Sequence, residues 1–142
     1  GFVFYTNLGS RKAKELAKNP AASLCFFWQP LGRQVRVEGK VQPVPDAQAD
    51  RYFASRDRLA RVGAWASRQS AEQEHPFALE RQVARYALKF GAGPVERPPF
   101  WGGFCLLPES IEFWQAGRFR LHDRSLYLYE DGRWQEPRKL YP

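Results

Sequence analysis

A chain of 142 residues, 44% hydrophobic and 15% aromatic, can bury a core without disulfide or metal staples and is too apolar to stay disordered. No apolar run approaches the roughly 20 residues of a membrane helix, and no basic, apolar, small-residue series opens the chain as a secretory signal would. The 22 Lys and Arg exceed the 15 Asp and Glu for a net charge of +7, which fits an anionic partner (nucleic acid, membrane surface or phosphorylated ligand) without choosing among them.

Residues 2–6, Phe-Val-Phe-Tyr-Thr, have the aromatic and β-branched character of a strand. Asn7-Leu8-Gly9 turns the chain, and Ser10 is placed to cap a helix that runs to Lys18 and stops at Asn19-Pro20. Ala21 to Trp28 is a continuous apolar run that predicts a buried strand. Gln34 to Val41 alternates, with Val35 and Val37 on one face and Gln34, Arg36 and Glu38 on the other, so the two runs form a hairpin around residues 29–32. Pro45-Asp46 opens a second helix with Ala49, Tyr52 and Phe53 as its apolar stripe. Arg56 to Arg61 reads as a basic stretch before Gly63-Ala64-Trp65-Ala66-Ser67. A third helix is predicted from Pro76 to Phe90, burying Phe77, Val83, Tyr86 and Ala87, and Gly91 to Pro94 ends it. Residues 97–103 read as irregular, Phe104 to Leu107 and Ile111 to Trp114 as separate strands, and residues 125–129 and 133–140 as a last hairpin about Asp131-Gly132. The fold class expected is mainly β with inserted helices, in one domain over residues 1–142. The lack of Met and the opening directly on strand-forming residues lead us to expect further sequence upstream of Gly1.

Cys25 and Cys105 lie far apart among apolar neighbours, which reads as buried free thiols in a reducing, cytoplasmic setting. His75 and His122 are the only histidines and have no ligand spacing, so no metal is expected. Three groups of residues carry possible chemistry. Ser10, Arg11 and Lys12 at a helix start combine free N–H groups, a hydroxyl and two cations, as a phosphate cradle or as a solvated basic helix end. If extended, Arg120-Leu121-His122-Asp123-Arg124 places two guanidiniums around an imidazole on one face, an anion-orienting set or a polar strand edge. Tyr52 and Arg56, four apart, form a phosphate clamp on one helix face or simply a packed aromatic beside a surface cation.

The set Phe4-Tyr5-Thr6-Asn7 with Ser10-Arg11-Lys12, Arg33 to Gly39, Tyr52-Phe53 through Ser55-Arg56, Gly63 to Ser67 with Gln69-Ser70, Pro99 to Gly103, and Ile111 to Gln115 followed by Arg120 to Arg124 resembles, in order and over nearly the whole chain, the pyridoxine (pyridoxamine) 5′-phosphate oxidase family. The resemblance implies a Greek-key split β-barrel, a homodimer with shared FMN sites, and the oxidation of pyridoxamine or pyridoxine 5′-phosphate to pyridoxal 5′-phosphate with dioxygen reduced to hydrogen peroxide. It implies that Tyr5, Thr6, Arg11, Lys12, Gln34, Gln69, Ser70, Trp114 and Arg124 bind FMN. It further implies that Tyr52 and Arg56 hold the substrate phosphate, and that Arg120 and His122 lie over the pyridine ring as catalytic residues. Each basic cluster then meets a phosphate, so neither nucleic acid nor membrane is needed as a partner. The family's upstream strand pair, with its Arg and Lys, has no counterpart here, so the barrel is expected to be incomplete at the N-terminus. Ala60 stands where the family usually has Ser, and Asp57 where Pro is common. A flavin-binding module with altered or lost substrate specificity is the alternative expectation.

Overall fold

The structure is a computed structural model that describes residues 1–142. In chain order it contains β1 (Phe2–Asn7), α1 (Arg11–Lys18), β2 (Ala21–Trp28), β3 (Arg33–Pro43), α2 (Asp46–Ser55), α3 (Arg58–Ala66), α4 (Ala78–Phe90), β4 (Trp101–Gln115), β5 (Asp123–Glu130), β6 (Arg133–Trp134) and β7 (Arg138–Lys139). Short 3₁₀ turns occupy Gln29–Leu31 and Arg118–Arg120. Strand order is β2-β3-β4-β5-β6, with β1 also bonded to β4 and β7 to β5. The path does not return to β2, so the sheet is not a closed barrel. No helix is long and apolar enough to cross a membrane. The chain divides into two compact units. A sheet unit comprises Gly1–Phe2, Pro20–Gln42 and Leu106–Pro142, and a helical unit comprises Val3–Asn19 and Pro43–Cys105.

In the sheet unit, β2 and β3 form the expected antiparallel hairpin, with Ala21 opposite Lys40 and Trp28 opposite Arg33. The turn closes at Gly32, whose φ of +55° would strain any side chain, and a Cβ there would stand 2.9 Å from that of Ala116. Val37 and Leu106 are fully buried. The expectation that Ala21 to Trp28 is a buried strand is corrected: Phe27 is 57% and Trp28 46% exposed. β2 is the end strand, bonded only to β3, and its Phe26, Phe27 and Trp28 side chains stay open to solvent, so a continuous apolar run here does not mean burial on both faces. The buried thiol expected at Cys25 is corrected for the same reason, since Cys25 is exposed and only Cys105 is partly buried. Two strands expected between residues 104 and 114 are one, because the polar Glu109 and Ser110 interrupt the apolar pattern but not the extended backbone. Those two residues meet Lys40 and Glu38 of β3. Asp131 and Gly132, both at positive φ, make the anticipated tight turn after β5.

In the helical unit, Ser10 caps α1, its hydroxyl accepting from the Ala13 N–H at 3.3 Å. The core gathers Phe53, Val62, Val95 and Trp101, flanked by Tyr5, Trp65, Tyr86 and Phe90. Helix α3 was not expected. Its Val62 and Ala66 are buried four residues apart, a helical stripe hidden by the arginines and by Gly63, where a Cβ would meet nothing. Phe77 is exposed rather than buried, because it sits ahead of α4 at φ +68°. Trp101 to Gly103 belong to β4 rather than to an irregular segment. Arg97 locks α2 to the start of β4, donating to Asp50 at 2.5 Å, Asp46 at 2.9 Å and the Trp101 carbonyl at 2.6 Å. Asp50 is the main reason its guanidinium is held above the ordinary arginine value.

Candidate functional site

The helical unit contains a cavity of about 440 Å³ lined by Tyr5, Thr6, Asn7, Tyr52, Arg56, Gln69 and Trp101, with Ala60, Gly63 and Ala64 as its small-residue side. One wall is an aromatic stack. Tyr5, Tyr52 and Trp101 form a near-parallel trio, with centroids 4.0 Å apart for Tyr5 and Tyr52, 5.2 Å for Tyr5 and Trp101, and 6.2 Å for Tyr52 and Trp101. This stack depends on Gly103, where a Cβ would come 2.7 Å from Tyr5 Cδ1. Arg56 follows the last residue of α2, so it and Tyr52 meet at the cavity although Arg56 is outside the helix. Its guanidinium lies 5.2 Å from the Trp101 ring and 5.7 Å from the Phe53 ring. Its Nη1 is buried without a hydrogen-bond partner. A buried donor on a cation that forgoes its hydrogen bond is costly, and Arg56 lines the cavity with no counter-ion of its own.

Beside the Ser10 cap, Gln69 Oε1 accepts from Thr6 Oγ1 at 3.2 Å and from the Asn7 N–H at 3.1 Å. Asn7 in turn donates to the Ser67 carbonyl. These bonds tie the 67–70 segment to β1 and leave the Gln69 amide nitrogen available. Ser70, at φ +70°, lines a second cavity of about 360 Å³ with Arg11, Lys14, Lys18 and Gln69. The cradle expected at the start of α1 is only partly assembled. Arg11 pairs with Glu15 one turn ahead at 2.7 Å, Lys12 lies 5.3 Å over the Phe4 ring, and the Ser10 hydroxyl is committed to its cap.

The sheet unit holds the remaining candidates. Strand alternation places Gln34 and Arg36 of β3 on one face, and the Arg36–Glu112 ion pair puts Glu112 and Trp114 of β4 on that same face. Arg124, opposite Trp114 in register, joins them from β5. Gln34, Trp114 and Arg124 therefore share one polar face of the sheet. A roomier cavity of about 530 Å³ borders Gln34 and Trp114 but is walled mainly by residues of the other face, Val35, Phe113 and Ser125, with Trp28 and Leu31. That hollow is an exposed apolar surface rather than part of the core, since Trp28, Leu31 and Phe113 are all exposed. The Trp114 ring also meets His122 at 4.8 Å, and His122 Nδ1 accepts from the Gly117 N–H at 3.2 Å.

The period-two arrangement of Arg120, His122 and Arg124 is corrected. Phe119 and Arg120 have φ of +56° and +63°, β5 starts only at Asp123, and a tight turn joins the His122 N–H to the Arg120 carbonyl. Arg120 is exposed and leaves the strand face that Arg124 occupies.

Two groups that sequence reasoning passed over complete the polar face. Glu112, 6% exposed, accepts from Arg124 Nε at 2.7 Å and from Arg36 Nη2 at 2.8 Å. The Arg124 hydrogen bond is the main reason its carboxyl lies below the ordinary range, helped by the charge of Arg36 and opposed by burial. The signal for both was a single acid in the apolar run Ile111-Glu112-Phe113-Trp114 and a lone Arg between Val35 and Val37. Within the sheet unit this face offers an amide, an indole and a braced guanidinium, and within the helical unit the Thr6–Gln69 cluster and Arg56 offer donors suited to an organophosphate.

The sequence matches two family models. That described as pyridoxamine 5′-phosphate oxidase covers residues 1–90, and that described as the pyridoxine 5′-phosphate oxidase C-terminal dimerisation region covers residues 101–142. Over its whole length the chain is 57% identical to a pyridoxine/pyridoxamine 5′-phosphate oxidase of Rhodospirillum rubrum, of which it spans 70%. It is 55% identical to one of Myxococcus xanthus, of which it spans 68%. Among solved structures, PhzG from Burkholderia lata 383, crystallised with tetrahydrophenazine-1-carboxylic acid, superposes with a TM-score of 0.91 at 30% identity. That match covers all of this chain and 69% of PhzG. A pyridoxamine 5′-phosphate oxidase-related, FMN-binding protein from Nostoc punctiforme shares the fold, with a TM-score of 0.75 at 18% identity over 99% of this chain and 72% of that one. The chain belongs to the pyridoxamine 5′-phosphate oxidase family, a family of FMN-dependent split-barrel enzymes.

Proposed function

We propose that residues 1–142 act as one FMN-binding domain of a homodimer that oxidises pyridoxamine or pyridoxine 5′-phosphate to pyridoxal 5′-phosphate, with dioxygen reduced to hydrogen peroxide and, for the amine, water consumed and ammonia released. The observation that carries this reading is the aromatic-walled cavity lined by Arg56, a guanidinium that no carboxylate pairs and whose Nη1 is buried without a hydrogen-bond partner. Arg56 and the Tyr52 hydroxyl donate to the substrate phosphate there, and the Tyr5–Trp101 stack keeps the guanidinium on a dry surface, where its charge acts at low dielectric. Thr6, Gln69 and Ser70, with Arg11 and Lys12 once an anion competes for them, hold the FMN phosphate and ribityl end. Tyr5 closes the aromatic wall beside them. Gln34, Trp114 and Arg124 orient the ring system. When bound, FMN supplies the two-electron acceptor chemistry that none of these side chains provides. His122, held by the Gly117 N–H and against Trp114, and the exposed Arg120 orient the pyridine ring. The C-terminal match to a dimerisation region supports the two-copy assembly.

The test is oxygen uptake by the purified, FMN-loaded protein supplied with either phosphorylated vitamer. The reading requires hydrogen peroxide and pyridoxal 5′-phosphate in equal amounts. Bound FMN with neither vitamer oxidised would instead establish a flavin-binding module whose substrate specificity has changed, in line with the missing hydroxyl at Ala60. Arg120→Ala and His122→Ala are expected to lower turnover more than FMN content, and loss of FMN with unchanged turnover would overturn their assignment.

A further inference from the structure

Glu112 is the one acid buried among the candidate residues of the sheet face, and it bridges three neighbouring strands. Its two oxygens are divided between Arg36 of β3 and Arg124 of β5. Arg124 is held on a second side as well, its Nη1 donating to the Tyr141 carbonyl at 2.9 Å. With Nε and Nη1 both engaged, the planar guanidinium has one orientation, and Nη2 remains without a protein partner. The Arg36–Glu112–Arg124 group carries one net positive charge, and a carboxylate this close to a cation lowers its attraction for an anion. A residue kept there in spite of that opposing field serves geometry rather than charge.

We propose that Glu112 is a positioning residue for FMN: it fixes Arg124 so that the free Nη2 edge meets the flavin nucleotide, while Arg36 balances the buried carboxylate. This rests on the reading of Arg124 as an FMN-binding residue. Aim and charge predict opposite results for Glu112→Gln. The variant keeps the shape of the side chain but raises the local charge by one unit. Charge alone would tighten FMN binding, whereas loss of aim weakens it.

The experiment is a double-mutant cycle on the homodimeric protein, with FMN affinity read by the quenching of flavin fluorescence as apoprotein is titrated into FMN. Arg124→Ala and Glu112→Gln are each expected to weaken FMN binding about tenfold, and the double variant no more than Arg124→Ala alone, since an aim has no value without the residue aimed. Glu112→Asp, which keeps the charge but shortens the reach by one methylene, is expected to weaken binding in the same direction and replaces Glu112→Gln should that variant fail to fold. If Arg124→Ala weakens FMN binding while Glu112→Gln leaves it unchanged or tightens it, the positioning role is overturned and the Arg124 assignment survives. Additive losses in the double variant overturn the positioning role too, because they indicate a general structural effect. If Arg124→Ala leaves FMN affinity unchanged, the assignment of Arg124 fails and the inference falls with it.

Discussion

Two arginines, one in each compact unit, are treated in opposite ways. In the sheet unit Arg124 is paired with a carboxylate and a carbonyl before any ligand arrives. In the helical unit Arg56 lies against the Trp101 and Phe53 rings with a buried nitrogen that nothing satisfies. The contrast separates two uses of one side chain. A guanidinium with its own counter-ion offers direction, and one left unpaired in an aromatic cavity offers binding energy for an anion.

The contrast is sharpest where packing supports it. Phe53→Ala, which removes the ring beneath Arg56 from the centre of the helical core, is expected to destabilise the protein by about 4 kcal/mol in denaturant unfolding. It should also blunt discrimination for phosphate, because the guanidinium loses its apolar seat. Gly103→Ala acts on the same cavity from the strand side, pressing a methyl group into the Tyr5 ring. A loss of about 2 kcal/mol is expected, with the Michaelis constant for the vitamer raised and the Arg36–Glu112–Arg124 group unaffected. Ser10→Ala removes the α1 cap and should cost about 1 kcal/mol in thermal unfolding.

Acid titration tests the other side of the comparison. Because the folded-state value of Glu112 lies below its ordinary 4.5, its ion pairs add stability that is complete above that value and disappears as pH falls through the folded one. The stability difference between the parent protein and Glu112→Gln should therefore be largest near neutral pH and shrink below pH about 4. A difference that stays constant with pH would remove the electrostatic part of the sheet-unit account.

Much of this was legible in the residues. The alternation of Gln34 to Val41, the Ser10 cap and the stop at Gly91 each bind a local pattern to a local geometry, and all three were found in place. Tyr52 and Arg56 were rightly joined, though the helix ends at Ser55 and the pair meets through a bend rather than along one helix face. What escaped was non-local. The exposure of Phe27 and Trp28 depends on β2 having a single neighbour, which no window of sequence reveals. Arg120 left the strand face because two consecutive residues took positive φ without a glycine to announce it. Glu112 drew no attention because one acid in an apolar strand looks like a solvent-facing residue until the adjacent strands supply two cations.

The most direct measurement compares turnover of pyridoxine 5′-phosphate with that of unphosphorylated pyridoxine in the parent protein and in Arg56→Ala, with FMN content checked in both. If the unpaired nitrogen is the phosphate anchor, the variant should lose roughly ten- to a hundredfold in kcat/KM for the phosphate ester and almost nothing for pyridoxine, with FMN retained. Equal losses on both substrates, or no loss on either, would contradict it.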